Sequence, residues 1–495
     1  MSTTTTRKPE SETMAGTTHN VTMIAGDGVG QEVADATKAI LKAAGARIDW
    51  EDAVAGKKAF DAGIASGVPN DTIESLQRTR VALKGPLETP VGHGGKSANV
   101  TLRKLFEMYG NIRPCRELPN VQGPFAGRGI DLIIVRENVE DLYAGIEHMQ
   151  SPGVAQALKL ISRKGCEKII RLAFELATSL GRKKVSCSTK ANIMKLTEGM
   201  LKRTFEDVTK EYPGFETDHV IVDNLCHQMV IRPEIYDVVV LTNMNGDIVS
   251  DLTSGLVGGL GIAPSMNLGD EAVMFEAVHG SAPDIAGQDK VNPTALLLSS
   301  VMMLRHLGEF ETADKVEHAL YCTYEDGKAL TGDIARGRPS VGTKKFTETV
   351  IANLGRNCSK LENRAFKPIK MPKVDSRLDF VQAKSRRDVG VDIFIESALM
   401  PEPMGKALDA IVEGTPWQLK MISNRGSQVY PVKAAAFDGI DHHRCRFYKR
   451  DGSGVSESEI LDLLTRVGAK HRWIHLERLA QYDGVDAFSK AQGEN

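Results

Sequence analysis

The sequence predicts an α/β fold with a large central sheet, followed by a separate, smaller α+β domain. From residue 21 to about residue 355, short apolar segments alternate with amphipathic helical segments, which is typical of α/β proteins. Residues 130–135 and 237–241 are largely apolar, as strands are when both faces of a sheet are covered. The alternation stops after Leu354, and we expect a domain boundary there.

The first predicted strand, residues 21–25, ends in a glycine-rich turn that opens a helix extending to about residue 43. This turn, Gly26-Asp-Gly-Val-Gly30, invites comparison with a dinucleotide-binding loop. That loop needs a third glycine where this chain has Gln31, and an acidic residue about 20 residues further on that is not evident here. We therefore predict a tight strand-to-helix turn and assign it no phosphate. Two further helices are predicted at residues 165–180 and 193–212.

The second predicted domain follows a segment with little periodicity. Residues 356–388 are rich in Lys, Arg, Asn and Pro, which indicates a linker. The order of the elements beyond it is close to the β-α-β-β-α-β arrangement of ferredoxin-like domains. The predicted strands are residues 389–396, 417–422, 428–430, 444–448 and 471–476, and the predicted helices are residues 404–412 and 456–467.

Composition excludes several classes of function. The chain has 495 residues and a formal net charge of −2, so we expect neither nucleic acid nor an anionic membrane surface as a partner. No apolar run approaches the roughly 20 residues that span a bilayer. Residues 1–20 are predicted to be a disordered tail without a leader pattern, which makes the cytoplasm the expected location. The seven cysteines lack any C-x-x-C pair and are expected to be reduced core thiols rather than disulfides or a zinc site.

Three aspartates, Asp223, Asp247 and Asp251, are candidate metal ligands. The last two are four residues apart, so their carboxylates would share one face of a helix. A hard cation such as Mg²⁺ prefers oxygen ligands of this kind. The alternative is an ordinary acidic helix start, in which Asp247 caps the helix and Asp251 is exposed.

A second group of residues suits a polycarboxylate ligand. Ser97, Asn99 and Arg103 offer a hydroxyl, an amide and a guanidinium near one predicted helix N-terminus, where anions are favoured. Guanidinium groups bind carboxylates bidentately, and several converging arginines would form a pocket. The alternative is a set of unrelated surface arginines. The other arginines considered are Arg113, Arg116 and Arg136.

Two further residues follow predicted strands, where α/β proteins place ligand sites. Tyr143 lies shortly after the strand at residues 130–135, and it is either a core tyrosine or a proton donor. Lys190 follows a strand at residues 185–188. It is either a surface lysine with a buried stem or a general acid or base.

Seven motifs occur in one order along the chain: Gly26-Asp-Gly-Val-Gly, Lys84-Gly-Pro-Leu-Glu-Thr-Pro, Arg136-Glu-Asn-Val-Glu-Asp-Leu-Tyr, Lys190-Ala-Asn, Asn243-Met-Asn-Gly-Asp-Ile-Val-Ser-Asp, Gly258-Gly-Leu-Gly-Ile-Ala-Pro and His279-Gly-Ser-Ala-Pro. Together they resemble the β-decarboxylating dehydrogenases, the isocitrate and isopropylmalate group. The resemblance covers about residues 21–355. The length and the added C-terminal domain are similar to those of the bacterial homodimeric isocitrate dehydrogenases.

The resemblance implies an isopropylmalate-dehydrogenase-like fold of two domains, extended by the C-terminal α+β domain. The C-terminal domain is expected to serve assembly, and effector binding is the alternative. The implied domains are a large cofactor-binding domain (residues 21–113 and 258–355), a small substrate and dimerisation domain (residues 114–257), a linker (residues 356–388) and the C-terminal domain (residues 389–495).

The resemblance also implies a reaction, the oxidative decarboxylation of isocitrate to 2-oxoglutarate and CO₂. Asp223, Asp247 and Asp251 would hold Mg²⁺ or Mn²⁺, and Tyr143 and Lys190 would be the acid–base pair. In this family the residues matching Lys190 and Asp223 come from the neighbouring subunit, which implies a homodimer with shared active sites. A higher oligomer through the C-terminal domain is the alternative. The implied substrate contacts are Ser97, Asn99, Arg103, Arg113 and Arg136.

The cofactor implied by one residue pair is NAD. NADP-dependent relatives have Lys-Tyr where this chain has Asp284 and Ile285. A carboxylate there would accept hydrogen bonds from ribose hydroxyls and repel a 2′-phosphate. Arg336 lies near the position of a phosphate-binding arginine in NADP enzymes and favours NADP, the alternative. The implied cofactor contacts are Thr89, His279, Gly280, Ser281, Ala282, Asp284, Ile285 and Asn292.

Other functions remain open at this point. Within the family, the substrate could be homoisocitrate, isopropylmalate or tartrate. A different class of protein, a non-catalytic regulatory subunit, usually lacks some of the acid–base or metal residues. This chain has Tyr143, Lys190 and all three aspartates, which favours an enzyme.

Overall fold

The computed structural model describes residues 18–88, 97–361, 366–432, 436–492 and 494. Their contacts divide the chain into two compact units. The first unit contains the described residues of Met1–Tyr143, Lys164–Lys190 and Leu201–Lys373. The second contains those of Ala144–Arg163, Ala191–Met200 and Val374–Asn495.

The described residues form the following strands: β1 His19–Ile24, β2 Ile48–Ala53, β3 Val81–Lys84, β4 Gly110–Arg116, β5 Asp131–Glu137, β6 Glu147–Ser151, β7 Val154–Ala157, β8 Lys184–Thr189, β9 Glu216–Ile221, β10 Val238–Leu241, β11 Pro264–Leu268, β12 Val273–Ala277, β13 Arg386–Glu396, β14 Trp417–Asn424, β15 Ser427–Tyr430, β16 His442–Lys449, β17 Arg472–Tyr482 and β18 Val485–Asp486. The helices are α1 Gly30–Ala44, α2 Lys57–Asp61, α3 Asn70–Thr79, α4 Ala98–Leu105, α5 Arg163–Ser179, α6 Thr197–Val208, α7 Val222–Ile231, α8 Asn243–Val257, α9 Thr294–His306, α10 Phe310–Asp326, α11 Gly332–Ala335, α12 Thr343–Ala352, α13 Pro401–Val412 and α14 Glu457–Gly468.

A ten-stranded mixed sheet forms the centre of the first unit, in the order β2-β1-β3-β12-β11-β4-β5-β10-β8-β9. The pairs β11–β12, β4–β11 and β4–β5 are antiparallel, and the other neighbours are parallel. Strands β3, β10, β11 and β12 are buried along their whole length, as expected when helices cover both faces. The predicted α/β fold with a large central sheet is confirmed.

The glycine-rich turn after β1 packs against the loop that follows β12. Gly26 and Gly28 have φ values of 90° and 55°. A Cβ on Gly28 would lie 2.0 Å from the carbonyl oxygen of Ser281, and a Cβ on Gly26 would lie 2.1 Å from that of Pro86. Only glycine, which lacks a Cβ, therefore lets the turn approach the backbones of Ser281 and Pro86 this closely. The turn is the tight strand-to-helix turn that the sequence predicts.

The second unit contains a six-stranded antiparallel sheet in the order β15-β14-β16-β13-β17-β18. Without β15 and β18, this is the strand order of a ferredoxin-like domain with two helices, which confirms the predicted C-terminal α+β fold. Its core includes Val391, Ile393, Leu408, Trp417 and Phe447. The hairpin β6–β7 belongs to the same unit.

Several predicted element boundaries differ from the structure. Strand β1 begins at His19, inside the predicted tail, because His19 and Asn20 pair with β2. Strand β13 begins at Arg386, inside the predicted linker, and Arg386 pairs with Tyr482. These polar strand ends owe their conformation to partners distant in sequence, which local hydropathy does not reveal.

The helix predicted at residues 193–212 is shorter than expected. Helix α6 spans Thr197–Val208, and a short 3₁₀ helix, Thr209–Glu211, follows it. Thr197 and Glu198 suit a helix start better than the residues before them, which explains the later beginning.

All seven cysteines are free thiols, and six of them are buried; that they stay reduced remains a prediction. In the described part of the chain, none of the helices combines the length and apolar content that crossing a lipid bilayer requires.

We expect a buried ion-pair network in the C-terminal sheet to contribute to the free energy of unfolding. Arg446 is fully buried, and its guanidinium donates to Asp392 at 2.8 Å and to Glu494 at 2.8 Å. Arg446→Ala should leave the buried Glu494 without a counter-charge and Asp392 with Arg444 alone, and destabilise the protein by about 3–5 kcal/mol. Urea unfolding followed by the fluorescence of buried Trp417 measures this change.

The matched control is Arg466→Ala, because Arg466 pairs with Asp462 in the same domain and both side chains are largely exposed. That variant should lose less than about 1 kcal/mol. An equal loss in both variants would contradict the role assigned to burial.

Candidate active site

Three buried arginines from separate elements point to one region on one face of the central sheet. Arg103 lies on α4, Arg113 on β4 and Arg136 on β5, and all three are at most 8 % exposed. Arg113 and Arg136 both pair with Asp247 on α8, and Arg113 also pairs with Asp251. Arg116 does not join them and lies 3.7 Å from Asp131. Buried arginines need partners, and each of the three has one.

Arg136 is held against the first turn of α8. Its Nε donates to the backbone and side-chain oxygens of Asn243, both at 3.0 Å, and its Nη1 pairs with Asp247. A Cβ on Gly246 would lie 2.6 Å from Cγ of Arg136, so glycine is what allows the arginine to pack against the helix. Burial, with smaller contributions from Arg113 and Arg103, lowers the pKa of Arg136 to about 10.

Arg113 reaches the same helix one turn further along. Its Nη1 donates to Ser250 at 2.7 Å and to Asp251 at 3.1 Å, and its Nη2 lies 3.4 Å from Asp247. Its Nε donates to Asn111 at 2.8 Å. Burial lowers the pKa of Arg113 below its usual range, although the two aspartates oppose this effect. The aspartates four residues apart on α8 therefore share one face, as their spacing predicts.

Arg103 belongs to a buried triad of charges. Its Nη2 donates to Glu276 on β12 at 2.7 Å, and Lys84 Nζ lies 2.7 Å from the other oxygen of that carboxylate. Burial alone would raise the pKa of Glu276, but the charges of Lys84 and Arg103 outweigh it and hold the pKa well below the usual range. Glu276 therefore stays ionised and fixes Arg103.

Two polar atoms beside this triad lack a partner. Nε of Arg103 and Oδ1 of Asn99 are buried without a hydrogen bond among the described residues. A buried polar atom without a hydrogen bond costs free energy, unless a ligand or a water molecule supplies the missing partner. Ser97 occupies the N-cap position of the same helix, α4. The predicted trio of Ser97, Asn99 and Arg103 thus lies on one short helix.

Tyr143 lies beside the arginines. Its hydroxyl donates to Asp247 Oδ2 at 2.5 Å, and the guanidinium of Arg136 lies 5.0 Å from its ring centroid. Burial, followed by the neighbouring Asp247, raises the pKa of Tyr143 above its usual range. The phenol therefore keeps its proton at neutral pH.

Asp141 positions the segment that carries Tyr143. Its φ of 67° is unusual for a residue other than glycine, and its carboxylate accepts from the backbone N–H groups of Leu142 (2.7 Å) and Met244 (3.0 Å). The second bond ties the segment to the start of α8.

Asp247 and Asp251 differ in the number of hydrogen-bond partners that their carboxylate oxygens have. Both oxygens of Asp247 have partners, and the charges of Arg136 and Arg113 outweigh its burial and lower its pKa. Asp251 accepts one bond, from Arg113 to its Oδ1, and burial raises its pKa. Carboxylate oxygens are the ligands that Mg²⁺ prefers, so the pair fits a hard divalent cation.

Lys190 and Asp223 form a pair of their own. Nζ of Lys190 lies 2.7 Å from Asp223 Oδ1, and this hydrogen bond lowers the pKa of Asp223. Among the described residues of one chain, ligand atoms of Asp223, Asp247 and Asp251 do not come within 4.8 Å of one another as a group. One chain by itself therefore does not assemble the three predicted metal ligands.

The predicted cofactor residues lie on the loop after β12, apart from Thr89, which lies outside the described residues. Ser281 accepts from the N–H of Val29 through its carbonyl at 2.9 Å. Nε2 of His279 is buried without a partner in the described part of the chain, and burial lowers the His279 pKa. The side-chain amide of Asn292 donates a hydrogen bond to Asp333 and accepts one from the backbone N–H of Thr294. The rest of the loop comprises Gly280, Ala282, Asp284 and Ile285.

Sequence reasoning missed four residues that position the site. Glu276 lies on a strand that otherwise reads as buried and apolar, and one charge in such a strand was the available signal. Asp141, Lys84 and Asn243 lie inside quoted motifs, but their partners are distant in sequence.

Comparison with known proteins agrees with this geometry. Residues 20–350 match the isocitrate/isopropylmalate dehydrogenase family, and residues 386–494 match the C-terminal domain of bacterial isocitrate dehydrogenase. This chain belongs to the isocitrate/isopropylmalate dehydrogenase family. Its predicted resemblance is therefore confirmed.

Two relatives match almost the whole chain. The NADP isocitrate dehydrogenase of Thermus thermophilus is 59 % identical over 475 residues, which cover 96 % of both chains. The NADP isocitrate dehydrogenase of Rickettsia conorii is 41 % identical and covers 96 % of this chain and 99 % of its own. A crystal structure of the TT0538 protein from Thermus thermophilus matches with a TM-score of 0.93 at 59 % identity, again over 96 % of both chains.

The prediction of NAD as cofactor is wrong, because these two relatives, each matched over 96 % of this chain, are named for NADP. The prediction depended on the charge of Asp284. That side chain is exposed, and in water two unit charges 4 Å apart interact by only about 1 kcal/mol. Salt reduces this further, so one exposed carboxylate is a weak barrier to a 2′-phosphate.

The buried triad predicts a pH-dependent stability. Glu276→Gln should destabilise the protein by about 3–5 kcal/mol at pH 7, because Lys84 and Arg103 lose their counter-charge. The folded-state pKa of Glu276 is depressed, so its stabilisation is complete above the ordinary value of 4.5 and is lost as pH falls below it. Urea unfolding of both proteins from pH 7 to pH 4 measures this difference, which should shrink only at the acidic end. A difference independent of pH would contradict it.

Proposed function

We propose that this chain catalyses the metal-dependent oxidative decarboxylation of isocitrate to 2-oxoglutarate and CO₂, with NADP as the oxidant. The observation that carries the proposal is the charge balance of a cluster in which the four cations and Glu276 are buried and two aspartates reach solvent. Four cationic side chains face three carboxylates there, which leaves an excess of one positive charge. The members are Lys84, Arg103, Arg113, Arg136, Glu276, Asp247 and Asp251.

A divalent cation on Asp247 and Asp251 would raise that excess to three positive charges. A tricarboxylate brings three negative charges and makes the site neutral, which buried charges require. The unpartnered Nε of Arg103 and Oδ1 of Asn99, together with Ser97, supply further hydrogen-bonding groups for carboxylate and hydroxyl oxygens. An alkyl-bearing substrate would leave these polar atoms without partners, which supports isocitrate over isopropylmalate.

Asp247 and Asp251, together with Asp223 of the partner subunit, would hold the metal, which would supply Lewis acidity to the substrate. NADP supplies the hydride acceptor, and the loop from His279 to Ile285 would hold its adenosine end. The buried Nε2 of His279, with no partner in the described residues, fits that contact.

The protein's own groups would handle the protons. Lys190, hydrogen-bonded to Asp223, is suited to relay the proton that leaves the substrate hydroxyl. Tyr143 keeps its phenolic proton because its pKa is raised, and it is suited to protonate the carbon that loses CO₂. Arg103, Arg113 and Arg136 would hold the carboxylates in a reactive geometry.

The active unit we propose is a homodimer with shared sites, and the expected location, the cytoplasm, stays a prediction. Two pairs of residues are each well bonded within one chain, Lys190 with Asp223 and Tyr143 with Asp247. The three aspartates do not group within one chain. A partner's Lys190 and Asp223 would complete the set.

Initial rates of NADPH and NADH formation test the proposal directly. Purified protein should oxidise isocitrate with NADP in the presence of Mg²⁺ or Mn²⁺, with a lower kcat/KM for NAD. Chelation of the metal should abolish the rate. Higher rates with isopropylmalate, homoisocitrate or tartrate would overturn the substrate, a preference for NAD would overturn the cofactor, and no turnover of any of them would overturn the enzyme.

The packing of Arg136 against α8 predicts the effect of adding one methyl group. Gly246→Ala should displace the guanidinium and reduce kcat/KM for isocitrate by about 10- to 100-fold, since misplacing a binding group by about 1 Å has effects of this size. Gly255→Ala is the matched control, because it lies on the same helix and its Cβ would meet nothing within 4 Å. Similar kinetics for the two variants would contradict the role of Arg136.

Tyr143→Phe tests the proton donor. The variant should turn over added oxalosuccinate at least about 100-fold more slowly, because general acid catalysis contributes about 10²–10⁴-fold. Tyr212→Phe is the control, since Tyr212 donates to Glu175 at 3.1 Å in another part of the first unit. Unchanged turnover of oxalosuccinate by Tyr143→Phe would remove Tyr143 from this role.

A further inference from the structure

Two thiols and a carboxylate meet at the end of α10, outside the proposed active site. Among the described residues, Cys322 Sγ, Cys358 Sγ and a carboxylate oxygen of Glu325 all lie within 4.8 Å of one another. Both cysteines are buried, with 0 % and 4 % exposure, and Glu325 is partly exposed. The two cysteines lie 36 positions apart in sequence, which is why their spacing does not reveal the cluster.

The backbone and its hydrogen bonds fix the three side chains in place. Cys322 and Glu325 are three residues apart on α10 and therefore share a face. Cys358 follows α12, and its N–H donates to Nδ1 of His318 at 3.1 Å. Its Sγ lies 3.3 Å from Glu325 Oε2, while Ser359 donates to Oε1 of the same carboxylate at 2.5 Å. The carboxylate is thus held with one oxygen directed at the thiol.

We propose that Cys322, Cys358 and Glu325 bind one Zn²⁺ ion per chain. Thiolate ligands select zinc over the hard cations that carboxylates alone prefer. Three protein ligands leave a fourth position for water, through the partly exposed side of Glu325, in the tetrahedral geometry of zinc. With Zn–S bonds of about 2.3 Å, the ligand atoms need to approach one another by no more than about 1 Å. Each thiol releases one proton to solvent as its sulfur binds.

The same carboxylate argues against a disulfide between the two cysteines. Thiol–disulfide exchange proceeds through a thiolate, and a carboxylate oxygen 3.3 Å from Cys358 Sγ disfavours an isolated negative sulfur. A cation removes that conflict, because it neutralises sulfur and oxygen together. Bound zinc would link α10 to the chain that follows α12.

Cobalt titration tests the site in the full-length protein, kept reduced with a phosphine and stripped of metal. Co²⁺ should produce a sulfur-to-cobalt charge-transfer band with a stoichiometry of one ion per chain, and added Zn²⁺ should abolish it. Aspartates cannot give this band, so the proposed active-site metal does not interfere. Absence of the band in the wild-type protein would overturn the proposal.

Variants assign the band to its ligands. Cys322→Ala and Cys358→Ala should each abolish it, and Glu325→Gln should weaken binding at least about 10-fold. Cys166→Ala, which removes a buried thiol from α5, and Cys226→Ala, which removes the thiol three residues from Asp223, should leave it unchanged. A band that survives both ligand variants would overturn the assignment.

Protection of the two thiols from alkylation tests the same site in the wild-type protein, and it does not depend on whether a cysteine variant folds. In the wild-type protein, Zn²⁺ should slow the alkylation of Cys322 and Cys358 at least about 10-fold, as located by mass spectrometry, and should leave Cys166 and Cys445 unaffected. Equal alkylation rates with and without Zn²⁺ would overturn the proposal.

Discussion

The pairing of Arg136 with Asp247 is the interaction on which the rest of the site depends. Burying a guanidinium costs free energy unless its N–H groups have hydrogen-bond partners. The N–H groups of Arg136 donate to Asn243 and Asp247 on α8. This fixes Asp247, which in turn accepts from Tyr143 and lies near Arg113. The proposed substrate contact, metal ligand and proton donor are therefore held by one charge network, which Gly246 allows to pack.

Much of this could be predicted from sequence. The alternation of strands and helices predicts the α/β class. That Arg113 and Arg136 share one face of the sheet depends on the register of β4 with β5, which the sequence leaves open. The four-residue spacing of Asp247 and Asp251 predicts a shared helix face, and the structure has it. Seven ordered motifs are enough to assign the family.

Other features could not be predicted, for physical reasons. Glu276 and Asp141 act through partners far away in sequence, Lys84 and the N–H of Met244. The polar ends of β1 and β13 are strands only because partner strands lie beside them. The prediction of NAD was wrong because it overestimated the electrostatic repulsion between Asp284 and a 2′-phosphate. Asp284 is exposed, and water screens its charge far more than it would a buried charge.

The central claim is that a working site combines Tyr143, Asp247 and Asp251 of one subunit with Lys190 and Asp223 of another. Mixing inactive Asp251→Asn with inactive Lys190→Met, after joint unfolding and refolding, tests it most directly. Half of the random dimers are then mixed, and each mixed dimer has one intact site, so about a quarter of wild-type activity should return. If the sites lie within single chains, mixing returns no activity, and that result would contradict the account.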